Sequence, residues 1–283
     1  MTEKNYHVHI TGEKSRLSLN LKEVFAYKDL ILLFTKRTLR LYYKQTILGP
    51  LWLILKPLLT SIVYAAVFKG IAGLSTNGTP ALLFYLCSHG LWTYFASTLK
   101  YNSGTFVVNA DVFGKVYFPR LTISFSSLLT AMAEFGVEFG MVLLLLLYFV
   151  LTGQVSPKWW MIPLAVLAFL CVGLMGLGFG IIISSLTTKY RDLTFVADFG
   201  IQLWMYATPV VYPLSQMSAG NPLYRLLQLN PMTAPMEIWR FAFLGEGSIT
   251  AISLASMLLL TALALFGGIL IFNRVERTFI DTV

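Results

Sequence analysis

Between residues 47 and 272 the chain carries six apolar runs, at 47–71, 81–99, 121–151, 160–186, 193–212 and 248–272, joined by short polar turns. Each is long enough to cross a hydrocarbon core of about 30 Å at about 1.5 Å of rise per helical residue. The third is the longest and is expected to tilt or to continue past the bilayer. Only 12% of residues are charged, against about 25% in an ordinary soluble domain. So few charges do not build a water-soluble surface, and the solvent for most of the chain is lipid. The expected fold class is all-α integral membrane, with six transmembrane helices.

The net charge of +8 raises the question of nucleic acid, whose phosphates clustered Lys and Arg neutralise. Position argues against it. Most basic residues precede the first run or flank later ones, where anionic lipid headgroups attract them. The same residues set an orientation. One side holds the N-terminal segment through Lys44, the turns with Lys115, Arg120, Lys189 and Arg191, and a tail with Arg274 and Arg277. The other holds the loop 72–80, which lacks Lys and Arg, and then only Lys158, Arg225 and Arg240. Both termini are therefore expected in the cytoplasm. The first twenty residues are polar, with no apolar core after a basic start, so the first span is expected to direct insertion.

Three segments follow. Residues 1–20 read as a flexible polar tail, 21–46 as an amphipathic interface helix, and 47–283 as the six-span domain. In the second segment Arg37, Arg40 and Lys44 step by three and four, so they share one helix face among many aromatics. That pattern suits a helix lying in the headgroup plane. The stretch 213–247 departs from the rest, because Pro213, Pro222, Pro231 and Pro235 break it into apolar pieces too short to span. Irregular backbone at membrane depth survives only where protein or a water-filled cavity surrounds it. The expectation is two re-entrant half-helices between spans five and six.

Few residues invite chemistry. Cys87 and Cys171 lie far apart inside apolar runs, and His7, His9 and His89 are too sparse for a metal cluster. Gly173, Gly176, Gly178 and Gly180 lack the Lys and Ser/Thr of a phosphate loop. Small residues in a span more often permit close packing, a reading that also covers Gly136 and Gly140. No nucleotide-binding motif occurs, so active transport needs a partner's ATP hydrolysis or an ion gradient. Glu134 and Glu138 share one face of the third span. A charge at mid-bilayer costs roughly 2.5–3.5 kcal/mol on insertion scales, so such residues face an interior or a cavity. They are either a proton or cation site or structural acids that cap the re-entrant region. The structural reading is preferred, since no second acidic cluster completes a relay. Lys56 sits too deep in the first run to snorkel and is expected to point into a cavity, while Asp198 is near enough to the end of its run to be interfacial. Trp52, Tyr64 and Phe68 on the first span, with Phe195, Phe199, Trp204, Tyr206 and Tyr212 on the fifth, suit either packing or an aromatic tunnel for a sugar chain.

The ordered motifs LLFTKRTLRLYYKQTILGPLWLILKPLL, NADVFGKVYFPR, TTKYRDL, YATPVVYPLS and LNPMTAPMEIWR, spread over roughly residues 24–275, resemble type-2 ABC exporter permeases. That family moves polysaccharides and polyol phosphates such as O-antigen, teichoic acid and capsule. The resemblance implies an interface helix at 36–44 and a coupling helix at 109–118 that docks into an ATP-binding subunit through Asn109, Asp111, Phe113 and Lys115. It implies a second contact at Arg191 and Asp192 and re-entrant helices at 213–247. The first and fifth spans would line the path and face a second copy of the chain, which gives Trp52, Tyr64, Phe195, Phe199 and Tyr206 as path residues. An undecaprenyl-diphosphate-linked glycan would meet Arg37, Arg40 and Lys56. The resemblance implies no cofactor in this chain, ATP and Mg being held by the partner, and a bacterial or archaeal cytoplasmic membrane.

Three rivals stand beside this reading: a drug or small-lipid permease of the same superfamily, an intramembrane glycolipid enzyme, and a secondary transporter. The enzyme would need an exposed Asp/Glu/His constellation, whereas the loops offer only isolated acids such as Asp111, Asp192 and Glu237. The secondary transporter would show inverted repeats, which the chain lacks.

Overall fold

A computed structural model of the protein describes residues 21–279 apart from 45, 110–115, 117, 188, 189, 191 and 219. The tail at 1–20 and the residues Asp111, Phe113, Lys115 and Arg191 lie outside the described residues. Within the described residues every regular element is helical.

A short helix α1 (Leu21–Ala26) leads into α2 (Lys28–Tyr43). Val24 and Ile31 bury against Leu121, Leu177, Ile181 and Phe272, and the Phe34 and Phe118 rings meet at 5.9 Å. Buried Thr35 donates its hydroxyl to the Ile31 carbonyl at 2.9 Å, which satisfies a polar group inside a packed helix. Lys36, Arg37, Arg40 and Lys44 stay exposed. The helix is thus two-faced, as the spacing of its cations requires.

The helix α3 (Trp52–Tyr64) is entered through a 3-10 turn, Gly49–Leu51, and leaves through a π-helical segment, Ala65–Ile71. After it come α4 (Ala81–Ser103), the single turn α5 (Thr105–Val108), α6 (Leu121–Leu151) and α7 (Ile162–Thr187). Then follow α8 (Leu193–Tyr206), α9 (Pro222–Leu229), α10 (Thr233–Leu244) and α11 (Ala251–Phe279). Four helical stretches in the described residues are long and apolar enough to cross a membrane: Gly49–Ile71, Leu121–Leu151, Trp159–Thr187 and Ala251–Arg274.

The other two expected spans differ for separate reasons. Helix α4 has the length, 23 residues or about 35 Å, but Ser88, His89, Thr93, Ser97, Thr98, Lys100, Asn102 and Ser103 dilute its apolar character. Its neighbours bury most of it. Helix α8 stops after 14 residues, about 21 Å and short of a hydrocarbon core. Pro209 lies three residues beyond its end, and proline both lacks an N–H and disfavours helix in the residue before it.

Helix α7 is the axis of the bundle, with α4 on one side and α11 on another. Glycine makes that possible. A Cβ at Gly176 would sit 3.0 Å from the Phe95 carbonyl oxygen and from Thr98, and one at Gly180 would collide with Asn102. A Cβ at Gly178 would lie 2.6 Å from the backbone of Ala264 in α11. Close approach of small residues is how lipid-embedded helices gain contact without a hydrophobic driving force. Gly136 and Gly140 differ, since a Cβ at either meets nothing within 4 Å. Their expected packing role is not seen among the described residues.

Candidate functional site

The stretch 207–250 is built around two buried charges. Glu237 and Arg240, both in α10, are 1% exposed each. Burying an ion is costly unless its partners replace water, and here they do. Arg240 donates from Nε to Ser88 Oγ of α4 at 2.9 Å. One terminal nitrogen donates to the Val210 carbonyl at 2.7 Å. The other reaches the Tyr212 carbonyl at 3.2 Å and Glu237 Oε1 at 3.3 Å. The guanidinium also stands 4.2 Å from the centre of the Phe84 ring, a cation–π contact. Glu237 Oε2 accepts from the Ser248 backbone N–H at 2.7 Å, and Oε1 accepts from the Leu214 N–H at 3.4 Å. The pair therefore ties α4, the segment after α8, α10 and the approach to α11 together.

Asn230 closes the same region from the other side. Its Oδ1 accepts from Trp204 Nε1 at 3.1 Å and from the Met232 N–H at 3.0 Å. Its Nδ2 donates to the Ala207 carbonyl at 2.7 Å and to Thr208 Oγ1 at 2.9 Å. Below it, Trp239 and Phe243 of α10 insert into a cluster with Phe135, Phe139 and Phe169 of α6 and α7. Helix α10 is buried from Thr233 to Arg240, and neither it, at 12 residues, nor α9, at 8, reaches across a bilayer. Gly245 ends α10 in the left-handed region, φ 82°, where glycine carries no steric penalty. A cavity of about 460 Å³ lies between the end of α8 and α9, lined by Trp204, Tyr206, Tyr212, Leu223, Leu226 and Asn230.

Helices α3 and α8 form an open face. No residue of α8 is buried, and Phe195, Phe199 and Tyr206 are exposed, as is Trp52 on α3. Tyr64 is half-buried and donates to the Met205 sulfur at 3.6 Å, which brings α3 and α8 together and sets Tyr64 within electrostatic reach of Tyr206. Lys56 is exposed part-way along α3 and lies within electrostatic reach of Glu134. Lipid tails do not tolerate such a charge well, so this face needs water or protein against it. Arg37 and Arg40, by contrast, lie exposed on α2.

The two acids of α6 both bind α4 rather than the α9–α10 region. Glu134 accepts from the Tyr101 hydroxyl at 2.8 Å, and Glu138 meets His89 Nδ1 at 2.7 Å. Among the described residues no group of three or more His, Cys, Asp or Glu side chains could hold a metal ion. Of the residues expected to meet an ATP-binding subunit, Asn109 donates to the Thr105 carbonyl at 3.0 Å, and exposed Asp192 heads α8 with its carbonyl accepting from the Phe195 N–H. Asp198 is bound to Lys100 at 3.2 Å.

Sequence reasoning counted Arg240 among loop cations and Glu237 among isolated acids, considered His89 only as a metal ligand, and gave Asn230 no role. One signal was present: Glu237 and Arg240 are spaced i, i+3 in an otherwise uncharged apolar segment. Their other partners are 11 to 152 residues away, beyond the spacing of a helix turn.

A family model for the ABC-2 type transporter matches residues 29–244. The chain is similar to O-antigen export system permease proteins RfbA from Klebsiella pneumoniae. Two of these are 27% and 28% identical over 94% of this chain and 99% of their own length. A Myxococcus xanthus protein of the same description is 24% identical over 93% of this chain and 98% of its own. The chain therefore belongs to the ABC-2 type transporter family, as a multi-pass membrane permease subunit whose family implies an ATP-binding cassette partner, and not as an enzyme.

Proposed function

We propose that the chain is the membrane half of an exporter that carries a lipid-linked polysaccharide of O-antigen, teichoic-acid or capsule type across the cytoplasmic membrane. Two copies face each other through α3 and α8, and two ATP-binding subunits, which hold the ATP and Mg, drive them from the cytoplasm. Both termini are cytoplasmic, with α2 in the headgroup plane of the inner face. Residues 109–118, with Asn109, Asp111, Phe113 and Lys115, dock into the ATP-binding subunit, and Arg191 and Asp192 add a second contact. The diphosphate of an undecaprenyl carrier meets Arg37, Arg40 and Lys56. The glycan passes Trp52, Tyr64, Phe195, Phe199 and Tyr206, whose rings offer sugars apolar faces and, on the tyrosines and tryptophan, polar tips. The α9–α10 region narrows the exit.

The observation that carries this reading is the exposed lysine Lys56 on α3, the helix whose Tyr64 meets Met205 of the wholly unburied, aromatic α8. An exposed charge on α3 and exposed rings on the helix it touches suit an anionic, sugar-bearing cargo better than lipid tails. The match in description and length to O-antigen export permeases supports the same cargo class. Copurification with an ATP-binding subunit tests it, followed by ATP turnover with and without the lipid-linked polymer. Stimulation by the polymer is expected. A chain that purifies alone and moves polymer without such a partner overturns the proposal.

A further inference from the structure

Helix α4 is the most polar of the long helices, and its polar side chains are not scattered. From Leu83 to Ser103 the residues that escape burial are His89, Thr93, Ala96, Ser97, Lys100 and Tyr101. His89, Thr93, Ser97 and Lys100 follow one another at i, i+4, i+8 and i+11, which places them on one stripe. The remaining polar groups of α4 point inward. Ser88 is bound by Arg240, and the Thr98 hydroxyl and Asn102 amide donate to the carbonyls of Tyr94 and Thr98. The stripe runs between α3 and α8: the Tyr64 ring stands edge-on to His89 at 6.1 Å, and Lys100 meets Asp198 of α8. A row of half-exposed polar side chains this long has no place against hydrocarbon.

His89 is the member with the most defined chemistry. Glu138 holds its Nδ1 at 2.7 Å, and the pair is 16% and 6% exposed at the side chains. A proton lies between them, and a carboxylate on one ring nitrogen fixes the tautomer and leaves Nε2 turned to other partners. The protein contact nearest to Nε2 is Thr93 Oγ1 at 3.4 Å, too long to satisfy it fully. The site has room for no bulk at its back, since a Cβ at Gly90 would sit 3.2 Å from the Glu138 carboxyl carbon.

We infer that the His89–Thr93–Ser97–Lys100 stripe of α4 is the water-wetted floor of the path, and that His89, fixed by Glu138, makes a hydrogen bond to hydroxyl groups of the passing polymer. The inference rests on the reading of the α3–α8 face as the path. It adds a third helix and a directional polar contact to a wall otherwise made of rings.

Cysteine accessibility tests it in the full complex. The background carries Cys87→Ala and Cys171→Ala, two thiols that are already buried. Thr93→Cys, Ser97→Cys and His89→Cys are compared with Leu144→Cys and Leu147→Cys, exposed positions on α6 with apolar neighbours. The probe is the charged, water-soluble 2-sulfonatoethyl methanethiosulfonate, which reacts with wetted thiolates. Labelling at 93 and 97 at least about tenfold faster than at 144 and 147 is expected, with slowing at 89 and 93 in cells that make the polymer relative to cells that do not. Labelling no faster than at 144 overturns the wetted floor, whether or not the chain exports polysaccharide. Fast labelling with no protection by polymer overturns the contact at His89. Thr93→Cys and Ser97→Cys keep the test valid if His89→Cys fails to assemble with the ATP-binding subunit. Loss of surface polymer on deletion of the chain reads the path assignment separately.

Discussion

Arg240 and Glu237 lie one turn apart in α10 and meet at 3.3 Å with almost no exposure, and between them they tie α10 to three other parts of the chain. Removing one partner leaves the other charge buried without a counterpart, which costs about 3–5 kcal/mol. Arg240→Met is therefore expected to lower the melting temperature of the detergent-purified protein strongly. The double variant Arg240→Met, Glu237→Leu is expected to regain a large part of that loss, because apolar side chains of similar volume need no counter-charge. A double variant as unstable as the single one would show that the hydrogen bonds to Val210, Tyr212, Ser88 and Ser248 matter more than the charge balance.

Asn230 supplies two acceptor and two donor contacts at the junction of α8 and α9. Asn230→Ala removes the acceptor of the Trp204 indole N–H and the Met232 N–H, both part-buried, at up to about 1–3 kcal/mol each where water does not replace it. Asn230→Asp keeps the acceptor contacts and loses the donors to Ala207 and Thr208. Thermal unfolding is expected to rank the variants wild type, Asn230→Asp, Asn230→Ala, in falling stability.

Glycines of similar appearance divide sharply. Gly178→Val drives a side chain into the backbone of Ala264 and is expected to prevent α7 and α11 from closing, read as loss of folded protein by size-exclusion chromatography. Gly136→Ala meets nothing within 4 Å among the described residues and gains about 0.8–1.0 kcal/mol of helix propensity. Its stability is expected to be unchanged or raised. A Gly136→Ala variant that folds but loses assembly would mark α6 as a contact between copies.

Lys56→Ala is expected to lower polymer export several-fold while leaving copurification with the ATP-binding subunit intact, because the Lys56 side chain is exposed. Lys56→Arg is expected to retain most export, since it keeps a positive charge. Export unchanged in Lys56→Ala removes the residue from the path.

Much of the architecture was legible because the bilayer imposes a length and a polarity that a sequence displays directly. The four runs that become helices of spanning length carry few charges, and Pro213, Pro222, Pro231 and Pro235 announce the broken stretch after α8. The end of α8 was harder, since Ala207, Val210 and Val211 continue the apolar character that Pro209 interrupts, and the run reads as longer than the helix. The polar interior was the least legible. His89 and Glu138 are 49 residues apart, and Ser88 and Arg240 are 152 apart. Such pairs are chosen by tertiary packing, and nothing local marks which residue will meet which. The acids of α6 were legible as residues that need a partner, but not that α4 would supply it.

Deleting the chain from its host and measuring polysaccharide on the cell surface and inside the cell tests the account most directly. Export of a lipid-linked polymer through this permease predicts loss of the surface polymer with accumulation of its carrier-linked form on the inner side, restored by the intact chain. Surface polysaccharide that persists undiminished, with no internal accumulation, contradicts it.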